Sequence, residues 1–97
     1  KSFDTFCPLG PFIQTNFEKN PELGIKCFVN NELKQDGNTR DMIFSIGDIL
    51  CFVSSIMTLL PGDVILTGTP EGVSKVGPGD EIKIEIETIG TLINTIK

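Results

Sequence analysis

Glu81-Ile82-Lys83-Ile84-Glu85-Ile86-Glu87 alternates strictly between charged and apolar side chains. Successive residues of an extended chain point to opposite faces, so this stretch reads as a strand with one wet face and one face that packs inward. Pro78-Gly79-Asp80 turns the chain into it, and Gly90 marks a turn or bulge before a last strand over residues 92–96. Working back along the chain, residues 25–29 form an apolar run and residues 32–35 its partner. Between them Asn30-Asn31 supplies two residues that tolerate positive φ, which makes a two-residue hairpin. Residues 9–14 read as a first strand, residues 16–22, with Pro21, as a loop, and residues 64–66 as a short buried strand. Short apolar runs separated by Gly, Pro and Asn predict an α+β chain that is mainly β.

Helix is the exception. Ile46, Ile49, Leu50, Val53, Ile56 and Met57 recur at spacings of three and four, which places them on one side of a helix. Ser45 is its N-cap, and Asp48 stands in the capping-box position. Pro61-Gly62 ends the segment. Pro-Gly-Asp occurs at 61–63 and again at 78–80 with different residues after it, so it is recurring turn chemistry and not an internal repeat. Pro presets one φ, Gly accepts a positive φ at the next position, and Asp bonds nearby amides.

The 97 residues fall in the range of one domain, and 39% hydrophobic and 22% charged residues match an ordinary folded protein. Eight Lys and Arg among thirteen acids leave a net charge of -5 and no basic stripe, which argues against nucleic acid as a partner. Residues 43–60 are the longest apolar candidate, but Ser45, Gly47, Asp48, Ser54, Ser55 and Thr58 interrupt them, so no membrane span is expected. Cys7, Cys27 and Cys51 fit neither a paired disulfide framework nor a metal knuckle, so they are expected as reduced core thiols in a cytoplasmic setting. The chain opens on Lys1 directly into a dense motif, which reads as a truncation.

Two segments carry candidate chemistry. Thr67-Gly68-Thr69-Pro70-Glu71-Gly72-Val73 places hydroxyls and glycines after an apolar run. Such a loop can present amides and hydroxyls to an anion, and it is equally a way to leave a strand. In Lys1-Ser2-Phe3-Asp4-Thr5-Phe6-Cys7-Pro8-Leu9-Gly10-Pro11 a cation and several hydroxyls precede two stiffening prolines. A lysine there can polarise a carbonyl or hold a carboxylate, or it can be a solvated surface group. Glu81, Glu85 and Glu87 occupy the polar face of the alternating strand, where water is the expected partner and not a metal.

K-S-F-D-T-F-C-P-L-G-P at 1–11, N-N-E-L-K-Q-D-G-N-T-R-D-M-I-F-S-I at 30–46, P-G-D-V-I-L-T-G-T-P-E-G-V at 61–73 and P-G-D-E-I-K-I-E-I-E-T-I-G-T-L-I-N at 78–94 resemble four consecutive blocks of the fumarylacetoacetate hydrolase family. The resemblance implies the C-terminal part of a catalytic domain built as a mixed β-sandwich roll, here with one central helix. It implies an enzyme that uses Mg²⁺ or Mn²⁺ to cleave or decarboxylate oxo-acids such as acylpyruvates, with a dienedioate isomerase as the variant. The metal carboxylates and the His-Glu pair that activates water come, in the family pattern, from segments before the lysine motif. This stretch therefore holds no metal of its own and would be inactive alone; the competing, non-enzymatic reading is an inert β piece able only to associate with a partner chain. Carried over by position, Lys1 matches the active-site lysine, Thr69 the threonine that contacts the substrate carboxylate, and Gly68 a position of close backbone approach. Asp4, Thr5 and Pro70 shape the loops. The resemblance also implies a homodimer.

Overall fold

In the computed structural model, which describes residues 3–16 and 20–97, Asn30 and Asn31 take φ of 49° and 66°. Two consecutive positive φ values give a hairpin turn whose twist follows that of its strands. It carries β1 (Gly24–Val29) into β2 (Glu32–Asn38), which runs on to Asn38 where the sequence pattern ended at Gln35. The register shifts inside this hairpin. Cys27 faces Gln35 while Phe28 faces Leu33, so Lys34 is left as an extra residue on β2. A bulge of this kind bends its strand and re-aims neighbouring side chains.

The alternating segment forms β3 (Glu81–Ile86) and the last strand is β4 (Gly90–Thr95). The sheet order is β2-β1-β3-β4, and each neighbouring pair is antiparallel. β1 thus pairs with a strand more than fifty residues away, from Ile25 opposite Ile86 to Val29 opposite Ile82. Side chains secure both ends of that pairing. At one end Asn30 Nδ2 donates to Asp80 Oδ1 at 2.8 Å, and Asn30 Oδ1 accepts from the Glu81 amide at 3.0 Å. At the other, Glu87 Oε2 accepts from the Gly24 amide at 2.7 Å. Past β2 the chain makes a single 3₁₀ turn (Thr39–Asp41), where the Thr39 hydroxyl accepts from the Leu23 amide at 2.9 Å and donates to the Pro21 carbonyl at 2.5 Å.

Helix α1 (Ile46–Ile56) begins where Ser45 was expected to cap it. Both halves of the capping box form, with Ser45 Oγ accepting from the Asp48 amide at 3.1 Å and Asp48 Oδ2 accepting from the Ser45 amide at 3.1 Å. The start of α1 docks through Gly47, a buried residue whose amide donates to Asn20 Oδ1 at 3.1 Å. The rest of the helix packs broadly against no strand.

Three expectations are corrected. Residues 9–14 form no strand: Pro8 and Pro11 lack amide donors for a ladder, and Leu9, Phe12 and Ile13 stay exposed. Residues 64–66 also join no strand, and Val64 and Leu66 remain about half exposed. The thiols are not core groups either. Cys7 and Cys51 are exposed, and only Cys27 is partly covered, burial pushing its pKa up. Among the described residues no apolar side chain is fully buried, and Ile43 is 93% exposed. The expectation of a mainly β chain with one helix holds.

Candidate functional site

The loop that begins at the first Pro-Gly-Asp lies against the bulged strand. Gly62 takes a φ of 97°, the Asp63 amide donates to the Leu60 carbonyl at 3.1 Å, and Asp63 Oδ2 accepts from the Leu60 amide at 2.7 Å. Residues 69–72 then lie against β2. Gly68 and Gly72 take φ of 95° and 96°, values in which a side chain is strained. At Gly68 that φ alone calls for glycine, since a Cβ there would meet only open space. At Gly72 a Cβ would also overlap the carbonyl oxygen of Lys34, the bulged residue. Three residues further along β2, a Cβ on Gly37 would come 3.1 Å from Pro70. The loop and β2 therefore touch at two glycines, one on each side of the contact.

Between these contacts stands Gln35. Its Nε2 donates to Thr69 Oγ1 at 2.9 Å, to the Pro70 carbonyl at 2.8 Å and to the Glu71 carbonyl at 3.2 Å. Three oxygens around one atom also set the amide's orientation, because the reversed amide would aim its own carbonyl at two others. Thr69, Gly72, Lys34, Gln35, Cys27 and Ile82 help to line a cavity of about 280 Å³ between loop and sheet. The Lys34 amine is paired with Glu32 at 2.7 Å.

Of the residues singled out in the sequence, Thr69 and Gly68 thus share one loop and Pro70 anchors it, while Asp4 and Thr5 sit in the exposed N-terminal stretch. Lys1 lies outside the described residues. In the sequence Gln35 stands only as a hairpin residue. Nothing in the spacing marks it, because the oxygens it holds are 34 to 36 positions away. The described residues do not fit a resident metal ion: none of their Asp, Glu and Cys side chains gather in groups of three or more. Glu87 is spent on the Gly24 amide, and Glu85 lies 2.9 Å from the Lys83 amine. No helix among the described residues is long and apolar enough to cross a membrane.

The family model for the fumarylacetoacetate (FAA) hydrolase C-terminal region matches residues 1–97. An uncharacterized protein of Methanocaldococcus jannaschii is 53% identical over 97 residues, which are 100% of this chain and 40% of that protein. The 4-hydroxyphenylacetate degradation bifunctional isomerase/decarboxylase of Salmonella dublin is 48% identical over 98 residues, covering 99% of this chain and 23% of that one. Maleylpyruvate hydrolase from Sphingobium sp. SYK-6, solved in complex with manganese (II) ion and pyruvate, superposes with a TM-score of 0.90 at 44% identity, over 97% of this chain and 36% of that chain. The chain spans at most about two fifths of the length of these relatives.

Proposed function

The chain belongs to the fumarylacetoacetate hydrolase family, and we propose that it forms the carboxylate-holding wall of an oxo-acid site in a larger enzyme that cleaves C–C bonds as a hydrolase or decarboxylase. The observation that carries this reading is the state of the Thr69 hydroxyl. A hydroxyl has one hydrogen and two lone pairs, and Thr69 Oγ1 already accepts from Gln35 Nε2 at 2.9 Å. Its hydrogen is left to donate outward, polarised by the bond it receives. A carboxylate is the complementary partner, and pyruvate in the Sphingobium hydrolase is an oxo-acid of this kind.

In this reading Thr69 orients the substrate carboxylate, and Gly68 gives the backbone the positive φ that turns Thr69 toward it. Lys1 adds a cation beside the substrate oxygen where negative charge grows as the bond breaks. This reading assigns Mg²⁺ or Mn²⁺ to residues that the relatives carry beyond the matched stretch, and the chain to the C-terminal part of one catalytic domain. The apolar side chains exposed here then meet the rest of that protein or its copy in a homodimer, and the three free thiols suit the cytoplasm.

The isomerase activity named for the Salmonella relative favours a second reading, an isomerase in which proton transfer replaces bond cleavage, with dienedioates as the substrates that the family resemblance implies. Both readings use the same carboxylate contact. In the full-length protein, Thr69→Val and Lys1→Ala should each lower kcat/KM by about tenfold to a hundredfold and leave the thermal midpoint in place. Assays on acylpyruvates, oxaloacetate and dienedioates check this and separate cleavage from isomerisation. Wild-type turnover by both variants would refute the assigned roles.

A further inference from the structure

We infer that Gln35 is the positioning residue of this site, holding the Thr69-Pro70-Glu71 segment on the bulge of β2 so that the Thr69 hydroxyl faces the substrate carboxylate. The inference rests on the proposed role of Thr69 and adds a residue that never touches substrate. Two independent observations support it. One is the set of three oxygens around Gln35 Nε2, a hydroxyl and two consecutive carbonyls. The other is the steric fit on either side, with Gly72 against the Lys34 carbonyl and Gly37 against Pro70, which brings the loop within reach of the amide.

The bulge supplies the reason for this position. Lys34 is the extra residue in the β1–β2 register, and the oxygen that Gly72 approaches is its carbonyl. An unbroken ladder would have offered the loop a flat strand, whereas the bend turns one carbonyl and the neighbouring amide side chain toward it. The loop has no strand pairing of its own. Side-chain bonds from Gln35 therefore fix it in place, as a ladder fixes the strands elsewhere in the sheet.

Gln35→Met keeps the length of the side chain and removes both amide hydrogens. In the full-length enzyme it should raise the KM for the oxo-acid, and the inhibition constant for pyruvate, about tenfold, with a smaller change in kcat. Because the two residues act through one hydroxyl, Gln35→Met on top of Thr69→Val should cost less than about twofold more. Amide hydrogen exchange across residues 68–72 should rise in Gln35→Met and not in Thr69→Val. Wild-type kinetics in Gln35→Met beside an impaired Thr69→Val would overturn the inference and leave the proposed function intact. Wild-type kinetics in Thr69→Val would overturn both. Should Gln35→Met not fold, the wild-type protein still decides: the side-chain amide hydrogens of Gln35 should exchange about tenfold more slowly than those of the exposed Gln14, and equal rates would overturn the clamp.

Discussion

The two Pro-Gly-Asp segments begin alike and end differently. Both place glycine at positive φ, 97° at Gly62 and 91° at Gly79. In both, the aspartate amide donates back to the carbonyl three residues earlier, at 3.1 Å, and the aspartate carboxylate accepts from that same residue's amide, at 2.7 Å for Asp63 and 2.8 Å for Asp80. The turn at Gly79 continues into β3 and is tied to the sheet from three directions. Asp80 also accepts from Asn30 Nδ2, the Gly79 amide donates to the Ile96 carbonyl at 2.9 Å, and the Ile96 amide donates to the Asp80 carbonyl at 2.9 Å. The turn at Gly62 continues into an unpaired segment that ends in the Thr69 loop. Local chemistry makes the turn, and the course of the chain beyond it depends on whether a partner strand lies alongside. One copy leads into a paired strand, and the other into a loop that side-chain bonds from Gln35 hold on β2.

The sharpest way to break this contrast is to pull the loop off β2. Gly72→Ala forces a side chain into a strained φ, worth about 1–3 kcal/mol on its own, and overlap with the Lys34 carbonyl adds to that. Activity should fall at least as far as in Thr69→Val, with a lowered thermal midpoint, both measured on the full-length protein. A Gly72→Ala enzyme with normal kinetics would mean that the loop does not need its seat on β2.

Comparing Asp80→Ala with Asp63→Ala tests the two turns directly. Asp80 joins β3 to the β1–β2 hairpin, whereas among the described residues Asp63 bonds within its own turn. Thermal melts should show a drop of about 3 °C for Asp80→Ala and about 1 °C or less for Asp63→Ala. Equal shifts would show that the link to Asn30 contributes nothing.

The smallest effect expected is on acid sensitivity. The Gly77 amide, and after it the Asn30 side chain, hold the Asp80 carboxyl below the usual carboxylate range. A group whose pKa is lowered in the folded state contributes stability that is complete above its unfolded value and is lost as pH falls through the folded one. Between about pH 5 and pH 2 the wild type should therefore lose more thermal stability than Asp80→Asn, which has no carboxylate at that position to protonate. Parallel curves for the two proteins would remove Asp80 as the cause.

Much of the fold was legible because its signals are local. The Asn30-Asn31 turn, the Ser45 and Asp48 capping box and the alternation in β3 each depend on residues within a few positions of one another. Residues 9–14 and 64–66 misled because an apolar run signals burial without saying against what, and neither run finds a strand partner here. At the site, Thr69 and Gly68 were singled out through the block they share with the family, and the roles proposed for them rest on that likeness. Gln35 lay in plain view within another block, but its bonds reach across more than thirty positions and its strand carries a bulge that no spacing announces.

By itself, then, the sequence determined the turns, the helix cap, the pleat of β3 and the family. These stem from φ preferences, side-chain bonds to nearby amides and the twofold period of extended chain. Only the tertiary structure decided the order β2-β1-β3-β4, the extra residue at Lys34 and the seat of the Thr69 loop on Gln35. Those features join residues distant along the chain, where the bonds that form depend on which surfaces the fold has already brought together.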